Sequence, residues 1–204
     1  MSVDEYRQWR SAGVALHEKI RKLYVSGSII DKAAKHMGLI VDKKIIHLDP
    51  DHQLDAFMEC CLYLIKQNGM TAVERFIKEV TPADEQERIL LAGLQQTQQN
   101  FYVIESVEAN NHRFIAQGLF GASPVVITDI NFSKSIEPGY VLYMRPIQLP
   151  ALTMTSGCSF VFFPEKKEVI ERLWHASWKT LSPLYKFSNI FSFNRGSGIP
   201  VITT

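Results

Sequence analysis

Apolar side chains recur along this chain in two rhythms, and the change between them divides it. Over the first hundred residues they return every three or four positions, the spacing of a helix face. Tyr6, Trp9, Gly13, Leu16, Ile20 and Leu23 line one such face, with Arg7, Arg10, Lys19, Arg21 and Lys22 off it, and Ser26-Gly27-Ser28 ends the run. A short helix through Ala33, Ala34 and Met37 closes at Gly38, and Leu39 to Leu48 reads as extended. Asp49-Pro50-Asp51 predicts the next start: a capping carboxylate, proline in the first turn, and acid at the positive helix end. That helix carries Leu54, Phe57, Met58, Cys61, Leu62 and Ile65 and stops at Asn68-Gly69. Thr71-Ala72-Val73-Glu74 and Thr81-Pro82-Ala83-Asp84 have the capping-box pattern and predict two more helices, the second fading into Gln95, Gln96, Gln98 and Gln99. Connections this short pack neighbouring helices on one another, as a bundle.

From Asn100 the rhythm becomes alternation. Phe101 to Glu108 predicts a strand, Ala109-Asn110-Asn111-His112 a turn, and Arg113 to Leu119 a second strand. Val125 to Thr128 is a third, and Pro138-Gly139 is a turn leading to a fourth over Tyr140 to Arg145. A fifth strand and a sixth fit between Ile147 and Phe163. Pro164-Glu165 opens a helix with Val169, Ile170, Leu173, Trp174 and Trp178 that ends near Ser182-Pro183. The predicted fold is α+β: a helical domain over 1–99, a small antiparallel β-barrel of SH3-like or OB-like kind over 100–164, a C-terminal helix over 165–185 and an aromatic tail over 186–204.

Composition narrows this picture little. Apolar residues make up 46% and charged residues 21%, a balance that folds rather than stays disordered. The net charge of +1 offers no broad attraction to nucleic acid or anionic membrane. Cys60 and Cys61 are adjacent and Cys158 is distant, which reads as reduced thiols in a cytoplasmic protein. The polar N-terminus has no apolar stretch of a secretory signal, and the most apolar helical run, Leu54 to Ile65, is interrupted by Asp55 and Glu59 and falls short of the ~20 residues that span a bilayer.

Candidate chemistry is sparse. His47, Asp49, Asp51 and His52 are the densest group of metal-ligand types, but helix initiation accounts for Asp49 and Asp51. Cys158 would be a nucleophile only with His112 or His175 beside it; otherwise it is a small core residue. Ala34 and Gly38 have the spacing of a helix-turn-helix, yet Leu39-Ile40-Val41 is extended in character where a recognition helix should start. Tyr102, Arg113, Phe114, Tyr143 and Arg145 could form an aromatic-basic face for single strands if the strand register exposed them together. Arg195-Gly196-Ser197-Gly198 lacks the surroundings of a phosphate loop and reads as flexible tail. No nucleophile, base and orienting partner can be named together. The reading is a non-enzymatic module without cofactor, working through a protein partner or self-association at Tyr6, Trp9, Trp174, Trp178, Phe191 and Phe193. The alternatives are an enzyme or ligand-binder with a polar pocket between bundle and barrel, and a nucleic-acid binder.

Several stretches resemble a family of bacterial proteins with no assigned activity. They are Ser26-Gly27-Ser28, Met37-Gly38-Leu39, Asp51 through Tyr63, Asn68-Gly69 before Val73-Glu74-Arg75-Phe76, Pro138-Gly139-Tyr140-Val141-Leu142 with Arg145-Pro146, and Met154-Thr155-Ser156-Gly157. The resemblance spans most of the chain from Ser26 to Pro164 and implies no activity, cofactor or catalytic residue.

Overall fold

The computed structural model describes residues 2–41, 45–46, 48 and 53–199. In chain order the elements are α1 (Val3–Tyr24), α2 (Gly27–His36), β1 (Ile40–Val41), β2 (Ile45–Ile46), α3 (Leu54–Tyr63), α4 (Ala72–Glu79), α5 (Glu85–Gln96), β3 (Asn100–Glu108), β4 (Arg113–Gly118), β5 (Val125–Thr128), α6 (Phe132–Ser135), β6 (Val141–Gln148), β7 (Thr153–Phe162), α7 (Lys167–Ala176) and α8 (Pro183–Ser197). The α+β class and the change of rhythm at Asn100 are as expected.

Local chemistry explains most boundaries. Ser2 Oγ accepts from Glu5 N at the start of α1, with Asp4 and Glu5 in its first turn and Arg21 and Lys22 in its last. Both halves of the Thr71/Glu74 capping box form, Glu74 Oε2 accepting from Thr71 N at 2.7 Å and Thr71 Oγ1 from Glu74 N at 3.2 Å. The box expected at Thr81 does not form. Asp84 caps α5 instead, accepting from Glu87 N at 2.8 Å, because its carboxylate is the stronger acceptor and Thr81 directly follows the C-cap of α4 at Val80.

The expected tail is a correction of a different kind. Pro183 stands in the first turn of a 15-residue helix rather than at the end of one, and Phe187, Ile190 and Phe191 bury the inward face of α8. Arg195, Gly196 and Ser197 complete its last turn. α7 stops at Ala176, and a 3₁₀ turn at Trp178–Thr180 joins the two helices.

β3 to β7 form one antiparallel sheet in the order β5-β4-β3-β6-β7. It is open, not the closed barrel expected from strand count. β5 and β7 supply Val125, Ile127 and Val161 to one core cluster, yet no ladder joins them. The edge of β7 is engaged otherwise: Thr155 O accepts from Arg10 Nη1 at 2.9 Å and Val161 O from Ile199 N at 2.8 Å. Five strands of alternating residues are compatible with either outcome, since closure depends on tilt and stagger.

β6 lies between β3 and β7 and is covered on both faces. Val141 and Tyr143 point into a core shared with α2, α3, α7 and α8, while Leu142 and Met144 point into the core of the opposite face with Phe114, Ile127 and Val161. Beyond a register shift between Met144 and Pro146, Ile147 joins a third core with α1, α4 and α5. α5 crosses β6 at Gly93, where a Cβ would lie 2.9 Å from Gln148 O and 3.1 Å from Ile147 Cγ2. Gly93→Ala therefore sets a gain in helix propensity of about 1 kcal/mol against overpacking of about 1–3 kcal/mol. The expected outcome is a thermal midpoint lowered by up to about 8 °C; a raised midpoint in a melting experiment would show that α5 stands further from β6.

Candidate functional site

The inner face of α3 presents Glu59 between Ala56 and Cys60, and β6 presents Arg145 in an otherwise apolar stretch. They meet in the interior: Arg145 Nε donates to Glu59 Oε1 at 2.5 Å, with the two side chains 8% and 3% exposed. Every further bond of this centre offsets desolvation. Arg145 Nη1 donates to Thr97 O at 3.1 Å, Ser156 Oγ donates to Glu59 Oε2 at 3.0 Å, and the guanidinium lies 4.1 Å from the Tyr63 ring centroid. Ser156 reaches Glu59 from an irregular stretch of β7 in which Gly157 adopts φ +115°. A Cβ at Gly157 would sit 3.3 Å from Arg10 Nη2, so glycine admits both the backbone turn and the arginine.

His17 of α1 completes the centre, its Nε2 2.5 Å from Tyr63 Oη. Burial, with Arg10 and Arg145 nearby, lowers its pKa to about 4, so the imidazole is neutral. Burial, followed by the charge of Glu59, holds the Tyr63 phenol well above its ordinary range.

Tyr63 and Arg145 also line a cleft of about 1240 Å³, walled by α2, α4, the link from α5 to β3, β6, α7 and α8. Two features distinguish its lining. First, Gln99 Nε2 is a buried donor without an acceptor among the described residues, while Gln99 Oε1 accepts from Tyr143 Oη at 3.4 Å. Second, Lys186 Nζ rests 4.5 Å from the Trp174 ring centroid, and Trp174 is stacked on Phe120 with ring centroids 4.3 Å apart. Phe101 joins the two sides, touching Tyr143 at 4.7 Å and Trp174 at 6.3 Å between centroids. The lining offers polar and aromatic groups of the kind that orient a polar molecule.

The residues singled out from sequence are dispersed. His47, Asp49, Asp51 and His52 lie outside the described residues, and among the described residues no group of three or more His, Cys, Asp or Glu could hold a metal ion. Cys158 is buried, and burial with Glu59 nearby pushes its thiol pKa well up; His112 sits at the β3–β4 turn and His175 packs edge-on to Phe120. Tyr102, Phe114, Tyr143 and Arg145 are all buried, Tyr102 and Phe114 on one side of the sheet and Tyr143 on the other, while Arg113 is exposed and paired with Glu108. These five share no exposed face. Tyr6, Trp178 and Phe191 are buried, and Trp9, Trp174 and Phe193 are half-buried against the same cores, so the chain covers these aromatics with its own elements. α8 docks where a loose tail was expected, burying Phe191 and half-burying Phe193, while Tyr6 and Trp9 of α1 pack against the core shared with α4 and α5.

Of the centre, only Arg145 was singled out from sequence. Glu59 was visible as a break in an apolar helix, and Arg145 as a charge in an apolar strand. Two lone opposite charges, each on an inward position, are the signal that would have paired them. His17, Gln99 and Lys186 carry no comparable mark.

The chain belongs to a family of unknown function (DUF7986), whose model matches residues 1–204. No curated protein and no solved structure matches it. No described helix is long and apolar enough to cross a membrane.

Glu59→Gln leaves a buried guanidinium uncompensated and should lower stability by about 3–5 kcal/mol, whereas Glu59→Leu with Arg145→Met should recover most of that loss. Denaturant unfolding of both variants checks this, and equal losses would refute it. His17 titrates near 6.5 when unfolded and near 4 when folded, so the unfolded state binds the proton first. Stability from the neutral imidazole is complete above that unfolded value and is lost as pH falls toward 4, at up to about 1.4 kcal/mol per pH unit. In His17→Gln the stability curve between those limits should be flatter than in the parent; parallel curves would contradict the assignment.

Proposed function

We propose that this chain is a non-catalytic binding protein for a small polar molecule, seated in the cleft between the helices and the sheet. The observation that carries this reading is the buried amide nitrogen of Gln99, in a residue of the cleft wall, which has no acceptor among the described residues. An unsatisfied buried donor costs about 1–3 kcal/mol, and a ligand acceptor is one partner that would remove that cost. The cleft is roomy enough for a metabolite-sized ligand. Its floor, Tyr143 and Arg145, is held in place from behind by Phe101, Glu59 and Thr97, which favours a preformed site over one assembled on binding. The apolar rings Tyr63 and Trp174 supply contact area, and the polar groups supply orientation.

The test is a thermal-shift screen of the full chain against polar metabolites. A ligand at one hundred times its Kd stabilises by about 2.7 kcal/mol, expected here as a midpoint raised by about 5–10 °C. The effect should vanish in Gln99→Leu and persist in Lys134→Ala, whose exposed side chain lies on α6 away from the cleft. A screen without any stabiliser, or stabilisers indifferent to Gln99→Leu, would remove the basis for this reading.

A further inference from the structure

We infer that the ligand of this cleft carries an anionic group, a carboxylate or a phosphate, held between Lys186 on one wall and the Gln99 amide on the other. The inference rests on the binding role proposed for the cleft and adds the class of ligand. It follows from a count of what the wall offers.

The lining side chains include Lys32, Lys66, Lys78, Arg145 and Lys186, with Glu74 as their carboxylate. Arg145 is already balanced by Glu59, and Lys66 stands 4.0 Å from Glu74. Lys186 is different. Its ammonium lies over the face of Trp174, partly withdrawn from water, and among the described residues no carboxylate comes within ion-pair distance of it. Burial lowers its pKa, the shift of a cation that lacks a counter-charge. Trp174 cannot swing aside to release it, because Phe120 is stacked on the indole and Phe101 meets it edge-on.

The opposite wall supplies donors as well. Tyr143 Oη gives its proton to Gln99 Oε1, which leaves the two protons of Gln99 Nε2 directed at no acceptor. A site with a half-buried cation that has no carboxylate beside it and a buried amide donor without an acceptor among the described residues is complementary to a group that has several acceptor lone pairs and negative charge. A neutral polyol would leave the ammonium without a counter-charge.

The test is a two-dimensional 15N–1H NMR titration of the full chain, following the side-chain amide pair of Gln99, assigned by its disappearance in Gln99→Leu. The probes are sodium phosphate, sodium citrate and glucose, at ionic strength held constant with sodium chloride. Saturable movement of the Gln99 pair with phosphate or with citrate is expected, the tighter of the two naming the anion class, with affinity about tenfold weaker in Lys186→Gln. Movement with glucose alone would overturn the anionic assignment and leave the cleft a binding site. Anion binding of equal strength in Lys186→Gln would overturn the part given to Lys186. Movement that sodium chloride reproduces, or none with any probe, would overturn this inference; the thermal-shift screen then decides separately whether the cleft binds anything.

Discussion

A carboxylate and a guanidinium taken out of water together are the constraint around which this molecule is arranged. Neither Glu59 nor Arg145 is tolerable in the interior alone, and each is satisfied only when α3, β6, β7 and the residue after α5 arrive together. Apolar packing could be met by several nearby arrangements of helix on sheet. The pair cannot, because a shift of α3 by a turn would strand both charges. Hydrophobic burial thus supplies the bulk of the stabilisation, and the ionic centre restricts which packing is used.

The same centre gives the cleft its character. Arg145 and Tyr63 belong to both, one immobilised by hydrogen bonds and the other pinned between the guanidinium and His17. Aromatic contacts extend this rigidity outward. Phe101 touches Tyr143, Phe162, Trp174 and Trp178, so the strand that begins the sheet is locked to α7 and to the 3₁₀ turn that follows it. This support fixes Tyr143 and Trp174, on which the Gln99 amide and the Lys186 ammonium rest, and the binding role proposed for the cleft draws on that rigidity.

Much of the architecture was legible because it is written locally. Thr71 and Glu74 cap α4 through neighbours three residues apart, and the run from Phe101 to Glu108 forms β3, in which Phe101, Tyr102 and Ile104 are all buried because the sheet is covered on both faces. Where two local readings compete, the stronger acceptor prevails, as Asp84 does over Thr81. Pro183 can end one helix or begin another, and only the burial of Phe187, Ile190 and Phe191 against the sheet decides for the second. The site was much less legible. Arg145 stood out as a charge among apolar neighbours, but its role requires Glu59, 86 positions away.

Taken alone, the order of residues determined the α+β class, the change from helices to strands at Asn100, and most element boundaries, since these depend on periodicity, caps and turns within a few positions. Tertiary structure alone decided that the sheet stays open, that the last segment docks as a helix, and that Gln99, Tyr143 and Lys186 face one cleft. Those outcomes depend on which distant groups meet in space, and neither periodicity nor local spacing carries that information.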